Sequence, residues 1–352
     1  MLHGRHADPD ATLASDPRSD PRMVAALAAF GLDGRLPPSG LGAHSPLEER
    51  LAYATMSEQG IGAIFDALAQ NVAPPAGVTT TTTTITGSDG NAITLFVSRP
   101  DDAPGPLPAI LHLHGGGMAI ASAADIPYIR LREHLAATGL VVIGVEFRNS
   151  GGALGPHPYP AGLNDCASAA RWVDEQRGEL GVSHLVVSGE SGGGNLTLTL
   201  AHKAKREGWI DAVAGFYAQC PFISNRWQDG HDELPSLTEN DEYFISREQL
   251  TILGSLYDPD GRHVDDAACW AYVATDDELT GLPPHVISVN ELDLLRDEGL
   301  QYYRRLLRAG VPTVGRVVAG TCHGGDLLLA AAMPEVFAAS IRDVSGFAHS
   351  LA

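Results

Sequence analysis

The chain has 352 residues, of which 44% are hydrophobic and 19% charged, as is usual for globular proteins. Domains of about 100–200 residues are common, so the length predicts two domains or one large α/β domain with an insertion. Acidic residues outnumber basic ones by 43 to 23, for a formal net charge of −20. Such a charge repels phosphate groups, so we expect neither nucleic acid nor a membrane as a partner.

The cysteine pattern and the first residues bear on the cellular compartment. The beginning of the chain lacks the apolar segment of a secretory signal. The four cysteines are widely scattered, with neither metal-ligand spacing nor the density of a disulfide framework. We therefore expect a cytoplasmic protein with reduced thiols, no metal and no cofactor.

Residues 1–77 form a polar leading segment. Residues 1–45 are rich in Pro, Asp, Gly and Ser, Leu47–Leu68 is predicted to be helical, and 71–77 resembles a linker. This segment is too polar to hold a core of its own. We expect it to pack on the main domain as part of a cap.

A β-hairpin is predicted directly after the leading segment, where β-branched residues become frequent. Val78–Thr86 is β-branched and contains six consecutive threonines, and Ala92–Ser98 follows after a Gly/Asp/Asn turn. β-branched residues on both sides of such a turn favour a hairpin over a low-complexity tract.

Beyond residue 106, short apolar runs alternate with helical stretches. The predicted strands are Leu107–Leu113, Leu140–Phe147, Leu185–Ser188, Ala212–Ala218, His285–Val289 and Thr313–Val318. The predicted helices are Ala123–Thr138, Leu163–Arg177, Gly193–Glu207, Asp297–Ala309 and Asp326–Phe347. Strands without polar alternation are buried on both faces, which indicates an α/β fold with a mostly parallel sheet and helices on both faces.

The stretch 221–282 interrupts this alternation. It is too long for a plain loop, so we expect a cap insertion above the sheet, and a core made of residues 78–220 and 283–352. Its aromatic residues either line a substrate pocket or form the core of the cap, and the sequence leaves both open: Phe222, Trp227, Tyr243, Phe244 and Tyr257.

The sequence Gly189-Glu190-Ser191-Gly192-Gly193 is a G-x-S-x-G motif between a predicted strand and a predicted helix. Such a turn holds a serine hydroxyl exposed at the end of a sheet, where it can act as a nucleophile. Gly189 and Gly193 are expected because a Cβ there would collide with neighbouring elements. On its own the motif is common by chance.

A second motif, His114-Gly115-Gly116-Gly117, follows the strand Leu107–Leu113. Its glycine amides can turn inward, and with the amide after the nucleophile they would form an oxyanion hole. The expected donors are Gly116, Gly117 and Gly192. The loop lacks the patterns of phosphate-binding motifs.

A serine nucleophile needs a base and a carboxylate that orients the base. His323 lies in a glycine-flanked loop after the last predicted strand, whereas His285 opens a strand at the other end of the sheet. His231 and His263 lie in the insertion and could line an entrance. For the carboxylate, the loop after His285–Val289 offers both Glu291 and Asp293, and residue types alone do not separate them.

Together these motifs resemble the bacterial hormone-sensitive-lipase-like esterases of the α/β-hydrolase fold. The family pattern of HGGG, G-D-S-A-G-G, D-x-L-R-D-E-G and H-G is matched here by His114–Gly117, Gly189–Gly194, Asp293–Gly299 and His323-Gly324. The resemblance implies an eight-stranded sheet with a helical cap, and it makes Ser191 the nucleophile, Asp293 the acid and His323 the base. A homodimer is possible within this family.

The resemblance implies a carboxylic ester hydrolase that acts through an acyl-enzyme on short-chain or lactone-type esters. Two departures from the family pattern, Glu190 for Asp and Gly192 for Ala, remove no catalytic group. One alternative is an amidase or peptidase of the same fold, because the same three residues serve esters and amides. Another is a non-catalytic ligand-binding receptor, which would be expected to have lost the base or the nucleophile.

Overall fold

The computed structural model describes residues 4–5, 8–103, 105–227 and 232–351. Eight strands form one sheet, in the spatial order β1-β2-β4-β3-β5-β6-β7-β8. Their bounds are β1 Val78–Thr86, β2 Ala92–Pro100, β3 Leu107–Leu113, β4 Val141–Glu146, β5 Val182–Glu190, β6 Gly215–Gln219, β7 His285–Asn290 and β8 Thr313–Val318. The predicted fold class is confirmed.

The threonine tract is a strand. β1 pairs with β2 in antiparallel register from Val78 opposite Pro100 to Thr86 opposite Ala92. β2 is also antiparallel to β4, whereas every pairing from β4 to β8 across the sheet is parallel. The carboxyl ends of β3 and β5 to β8 therefore meet at one edge of the sheet, where open α/β sheets bind their ligands.

Helices cover both faces of the sheet. Their bounds are α1 Pro21–Ala28, α2 Leu47–Ala69, α3 Ile126–Ala136, α4 Ala161–Glu175, α5 Arg177–Leu180, α6 Gly192–Glu207, α7 Ser236–Glu239, α8 Arg247–Tyr257, α9 Asp276–Leu279, α10 Arg296–Arg308, α11 Gly325–Leu328 and α12 Pro334–Ser350. α4, α6 and α10 pack on one face, and α3 and α12 on the other. The apolar runs of β3 to β7 are buried on both faces for this reason, whereas the edge strand β8 leaves Val314 and Val317 about half exposed, contrary to the prediction.

Most predicted elements have slightly different bounds in the structure, and three of the differences have a clear physical reason. β5 begins at Val182, before the polar residues Ser183 and His184, because Val182 already pairs with Leu107 of β3. β6 begins at Gly215, since Ile210–Ala212 forms a 3₁₀ turn. The predicted last helix is split into α11 and α12, and α12 begins at Pro334, a residue that fits the first turn of a helix but not its interior.

Both the leading segment and the insertion lie above the carboxyl edge of the sheet. Ala54 of α2 packs with Leu253 and Leu256 of α8, and Met23 of α1 packs with Tyr243 of the insertion. The division into core and cap stays a prediction that these contacts support. Among the described residues, no helix has both the length and the apolar content that crossing a bilayer requires.

Candidate active site

Ser191 occupies the sharp turn between β5 and α6. Its backbone has φ 56° and ψ −117°, a conformation that a non-glycine residue adopts only under strain. A Cβ on Gly193 would lie 1.9 Å from the carbonyl oxygen of Leu113, and one on Gly189 would lie 2.5 Å from the same oxygen. Both positions therefore require glycine, and the turn holds the serine hydroxyl at the carboxyl edge.

Three side chains from separate loops form a hydrogen-bonded relay. Nε2 of His323 lies 2.8 Å from Oγ of Ser191, and its Nδ1 lies 2.8 Å from Oδ2 of Asp293. Asp293 is fully buried, and its Oδ1 accepts a hydrogen bond from the amide of Leu295 at 2.9 Å. The carboxylate is thus held in one orientation and directs the imidazole toward the serine.

The structure distinguishes Glu291 from Asp293, the two carboxylates between which residue types alone did not decide. Oε2 of Glu291 accepts a hydrogen bond from the amide of Gly320 at 2.8 Å, so it stabilises a turn, while Asp293 contacts His323. Sequence reasoning missed Asn240, a fully buried residue of the insertion. Its Nδ2 donates to the carbonyl oxygens of Glu291, at 3.2 Å, and Asp293, at 2.9 Å, and so fixes the loop that carries Asp293.

The glycine loop after β3 lies against the amino end of α6. Gly116 and Gly117 have φ 94° and 61°, and a Cβ on Gly116 would lie 2.1 Å from the carbonyl oxygen of Ile120. The amide nitrogen of Gly117 lies 2.7 Å from where a Cβ on Gly192 would stand. Within the described ranges, none of these three glycine amides donates to a protein acceptor. Three free donors next to a serine hydroxyl suit a developing oxyanion.

Glu190 joins the serine turn to the glycine loop. Its Oε1 accepts a hydrogen bond from the amide of Gly115 at 3.0 Å, and its Oε2 lies 3.0 Å from Nε2 of His112. The sequence indicated Glu190 only as part of a motif, because a contact between two distant loops leaves no local pattern. The carboxylate of Glu190 therefore ties the residue before Ser191 to the first glycine of the loop.

His114 supports the glycine loop and is unsuited to act as a base. Its ring is fully buried and stacks on Phe147 with centroids 4.1 Å apart, and its Nδ1 lies 2.9 Å from the carbonyl oxygen of Gly115. Burial lowers the pKa of His114 to about 3, so the ring is neutral.

The other histidines named from the sequence lie away from the serine. His285 is buried with Nδ1 2.6 Å from the carbonyl oxygen of Pro283, and His263 packs beside Tyr159 with ring centroids 4.8 Å apart. His231 lies outside the described residues.

A largely apolar cavity opens beside Ser191. Its walls come from the leading segment, α3, the insertion and the loops near His323, and they include Ile61, Phe65, Tyr128, Leu131, Phe244, Gln249, Leu250, Leu253, Leu327 and Leu328. Of the five insertion aromatics, Phe244 lines the cavity. The other four are fully buried, and two of them, Phe222 and Trp227, stack with centroids 4.1 Å apart.

The contribution of the leading segment to the cavity was missed from the sequence. Ile61 and Phe65 are four residues apart and therefore lie on one face of α2. This spacing was the available pattern, but it does not tell which surface the face packs against.

The four cysteines are free and buried. One group of side chains in the described part of the chain has the composition and proximity of metal ligands, namely Cys220, Asp293 and His323. Cys322 is outside this group. Its amide lies 3.1 Å from Sδ of Met23.

Comparisons with known proteins agree with this architecture. A family model described as alpha/beta hydrolase fold matches residues 110–326. Carboxylesterase NlhH of Mycobacterium tuberculosis is 34% identical over 211 residues, which are 58% of this chain and 62% of that protein, so the match spans less than two thirds of the relative.

Solved structures of esterases resemble nearly the whole chain. Brefeldin A esterase, described as a bacterial homologue of human hormone sensitive lipase, superimposes with a TM-score of 0.96 at 45% identity, covering 99% of this chain and 98% of its own. Esterase Est22 superimposes with a TM-score of 0.86 at 36% identity, covering 96% and 99%. The resemblance therefore includes the leading segment and the insertion.

Proposed function

The chain belongs to the alpha/beta hydrolase fold family, and from this we propose that it is a carboxylic ester hydrolase with Ser191 as nucleophile, His323 as base and Asp293 as acid. The observation that carries the proposal is the relay of two 2.8 Å contacts from Asp293 through His323 to Ser191. The esterases named above support the same reaction class.

In the first half of the reaction, Oγ of Ser191 attacks the ester carbonyl and its proton passes to Nε2 of His323. The carboxylate of Asp293 accepts a hydrogen bond from Nδ1–H, which selects the tautomer with a free Nε2 and stabilises the imidazolium that forms. The amides of Gly116, Gly117 and Gly192 stabilise the tetrahedral oxyanion. The positive end of α6, which begins directly after Ser191, also stabilises the oxyanion.

In the second half, the imidazolium of His323 gives its proton to the leaving alcohol, and the carbonyl carbon stays bonded to Ser191 as an acyl-enzyme. Water then attacks this ester while Nε2 accepts one of its protons. Collapse of the second tetrahedral intermediate returns that proton to Oγ and releases the carboxylic acid product. Each proton is returned, so the enzyme ends the cycle unchanged.

The proposed substrates are small apolar esters, of short-chain or lactone type. The cavity beside Ser191 is lined mainly by aliphatic and aromatic side chains and is bounded by α2 and α8. Such walls favour apolar acyl or alcohol groups.

Hydrolysis of p-nitrophenyl butanoate tests the proposal. Ser191→Ala should lower kcat/KM by about 10⁴-fold or more and abolish labelling by a fluorophosphonate probe, because both need the same hydroxyl. Ser168→Ala, on α4 away from the cavity, is the matched control and should retain both. Activity of Ser191→Ala within a few-fold of the parent would refute the assignment.

A matched pair of substrates distinguishes ester from amide hydrolysis. The butanoate ester and the butanoyl anilide of the same aromatic group differ only in the leaving atom. Turnover of the ester far above that of the anilide is expected, and the reverse order would favour an amidase. Probe labelling without turnover of either would favour a receptor.

A further inference from the structure

Cys220 lies beside the catalytic relay, at the carboxyl end of the strand next to β5. It is 2% exposed, and it borders the same cavity as Ser191 and His323. Its Sγ, a ring nitrogen of His323 and a carboxylate oxygen of Asp293 all lie within 4.8 Å of one another. No other group of this kind occurs among residues 4–5, 8–103, 105–227 and 232–351.

A thiolate, an imidazole and a carboxylate are ligands that zinc uses in proteins. Zn–S bonds of about 2.3 Å and Zn–N bonds of about 2.0 Å place sulfur and nitrogen about 3.5 Å apart in a tetrahedral site. The separation of up to 4.8 Å must therefore shrink by about 1 Å, which a change in one side-chain torsion of Cys220 can supply.

An ion can reach this cluster from the cavity. Cys220 and His323 both border the cavity, so the ion can enter by the route that the substrate uses.

We propose that Cys220, His323 and Asp293 form a binding site for a soft divalent cation such as Zn²⁺, and that occupancy blocks the hydrolytic reaction. On binding, the S–H bond of Cys220 breaks, its proton leaves to solvent, and a sulfur–metal bond forms. The ion binds Nδ1 of His323, the ring nitrogen that faces Asp293, and the proton on Nδ1 moves to Nε2. Nε2 then has no lone pair with which to accept the Ser191 proton, so the base is lost.

Metal binding is tested without any assay of activity. Titration of the protein with Cd²⁺ should give thiolate-to-cadmium absorption in the ultraviolet that saturates at one equivalent. Cys220→Ala should lose this absorption, whereas Cys322→Ala, the matched control, should keep it. Ser191→Ala should also keep it, because the serine is not a ligand. Absorption that survives in Cys220→Ala, or that disappears in Cys322→Ala, would overturn the site.

Inhibition is the second readout, and only this part rests on the proposed function. Zn²⁺ should inhibit ester hydrolysis by the wild type reversibly, with recovery on adding EDTA, whereas Mg²⁺ should not, because it prefers oxygen ligands. With each protein's rate taken relative to its own metal-free rate, Cys220→Ala should need about tenfold more Zn²⁺ than the wild type for half-inhibition. Equal Zn²⁺ sensitivity of the two proteins would overturn the proposal. A wild type that binds Cd²⁺ but hydrolyses no ester would refute the function and leave the metal site standing.

Discussion

Replacing Glu298 with glutamine should change how the stability of the protein depends on pH. Glu298 lies in the first turn of α10 and is 1% exposed. Its carboxylate accepts hydrogen bonds from the amide of Ile223 at 2.6 Å, from the indole nitrogen of Trp227 at 3.1 Å, and from the amide and hydroxyl of Ser224. The amide of Phe222, the residue before Ile223, donates to the carbonyl oxygen of Ser191 at 3.1 Å. The carboxylate therefore anchors a wall of the candidate site.

Burial raises the pKa of Glu298 from 4.5 to about 7, even though the hydrogen bonds favour the charged form. The folded state then binds a proton more tightly than the unfolded state, so stability falls as pH rises between these two values. At about 1.36 kcal/mol per pKa unit, the loss of stability relative to low pH, where Glu298 is protonated in both states, is about 0.8 kcal/mol at pH 5 and about 3.4 kcal/mol at pH 8. The carboxyl group thus costs about 2.5 kcal/mol more at pH 8 than at pH 5.

Urea unfolding at pH 5 and pH 8 measures this difference. The free energy of unfolding of Glu298→Gln, relative to wild type, should rise by about 2.5 kcal/mol from the lower to the higher pH. Glu179→Gln makes the same change of charge at an exposed position and is the control. If the offset between Glu298→Gln and wild type is the same at both pH values within about 0.5 kcal/mol, the role assigned to burial is wrong.

Three further predictions concern the candidate site and its supports. Asp293→Asn should lower kcat by about three to four orders of magnitude, because His323 then adopts the wrong tautomer, whereas Glu291→Gln should have a much smaller effect in the same ester assay. Gly193→Ala should destabilise the protein by about 3 kcal/mol or more in thermal unfolding, since its Cβ would lie 1.9 Å from a carbonyl oxygen. Phe65→Leu should raise the ratio of kcat/KM for octanoate over butanoate esters several-fold by enlarging the cavity.

Each prediction has an outcome that contradicts it. Greater impairment in Glu291→Gln than in Asp293→Asn would give the acid role to Glu291. Gly178→Ala, with nothing within 4 Å of the added Cβ, is the control for Gly193→Ala, and equal melting temperatures of the two variants would argue against the steric reasoning. Met56→Ala is the control for Phe65→Leu, because Met56 is on the same helix but 64% exposed. If Met56→Ala changed the octanoate-to-butanoate ratio of kcat/KM as much as Phe65→Leu, the enlarged cavity would not be the cause.

Local patterns predicted most of the sheet and the chemistry-bearing loops. Apolar runs such as Leu107–Leu113 are strands because only a segment covered on both faces can be apolar throughout. The glycines around Ser191 predicted its turn, because the close approach of Leu113 admits no side chain there. His323 was predicted because a loop after a parallel strand lies at the carboxyl edge.

The sequence by itself determined the strands, the main helices that cover the sheet and the residue types able to carry acyl transfer, since each depends on neighbours within a few positions. Tertiary structure decided which groups meet. It turned Glu291 toward Gly320, brought Asn240 to the loop that carries Asp293, and set Cys220 beside His323. It also made Ile61 and Phe65 of α2 part of the cavity. A contact between segments far apart in the chain depends on the direction of each side chain and the packing of whole elements, and neither is written in a local pattern.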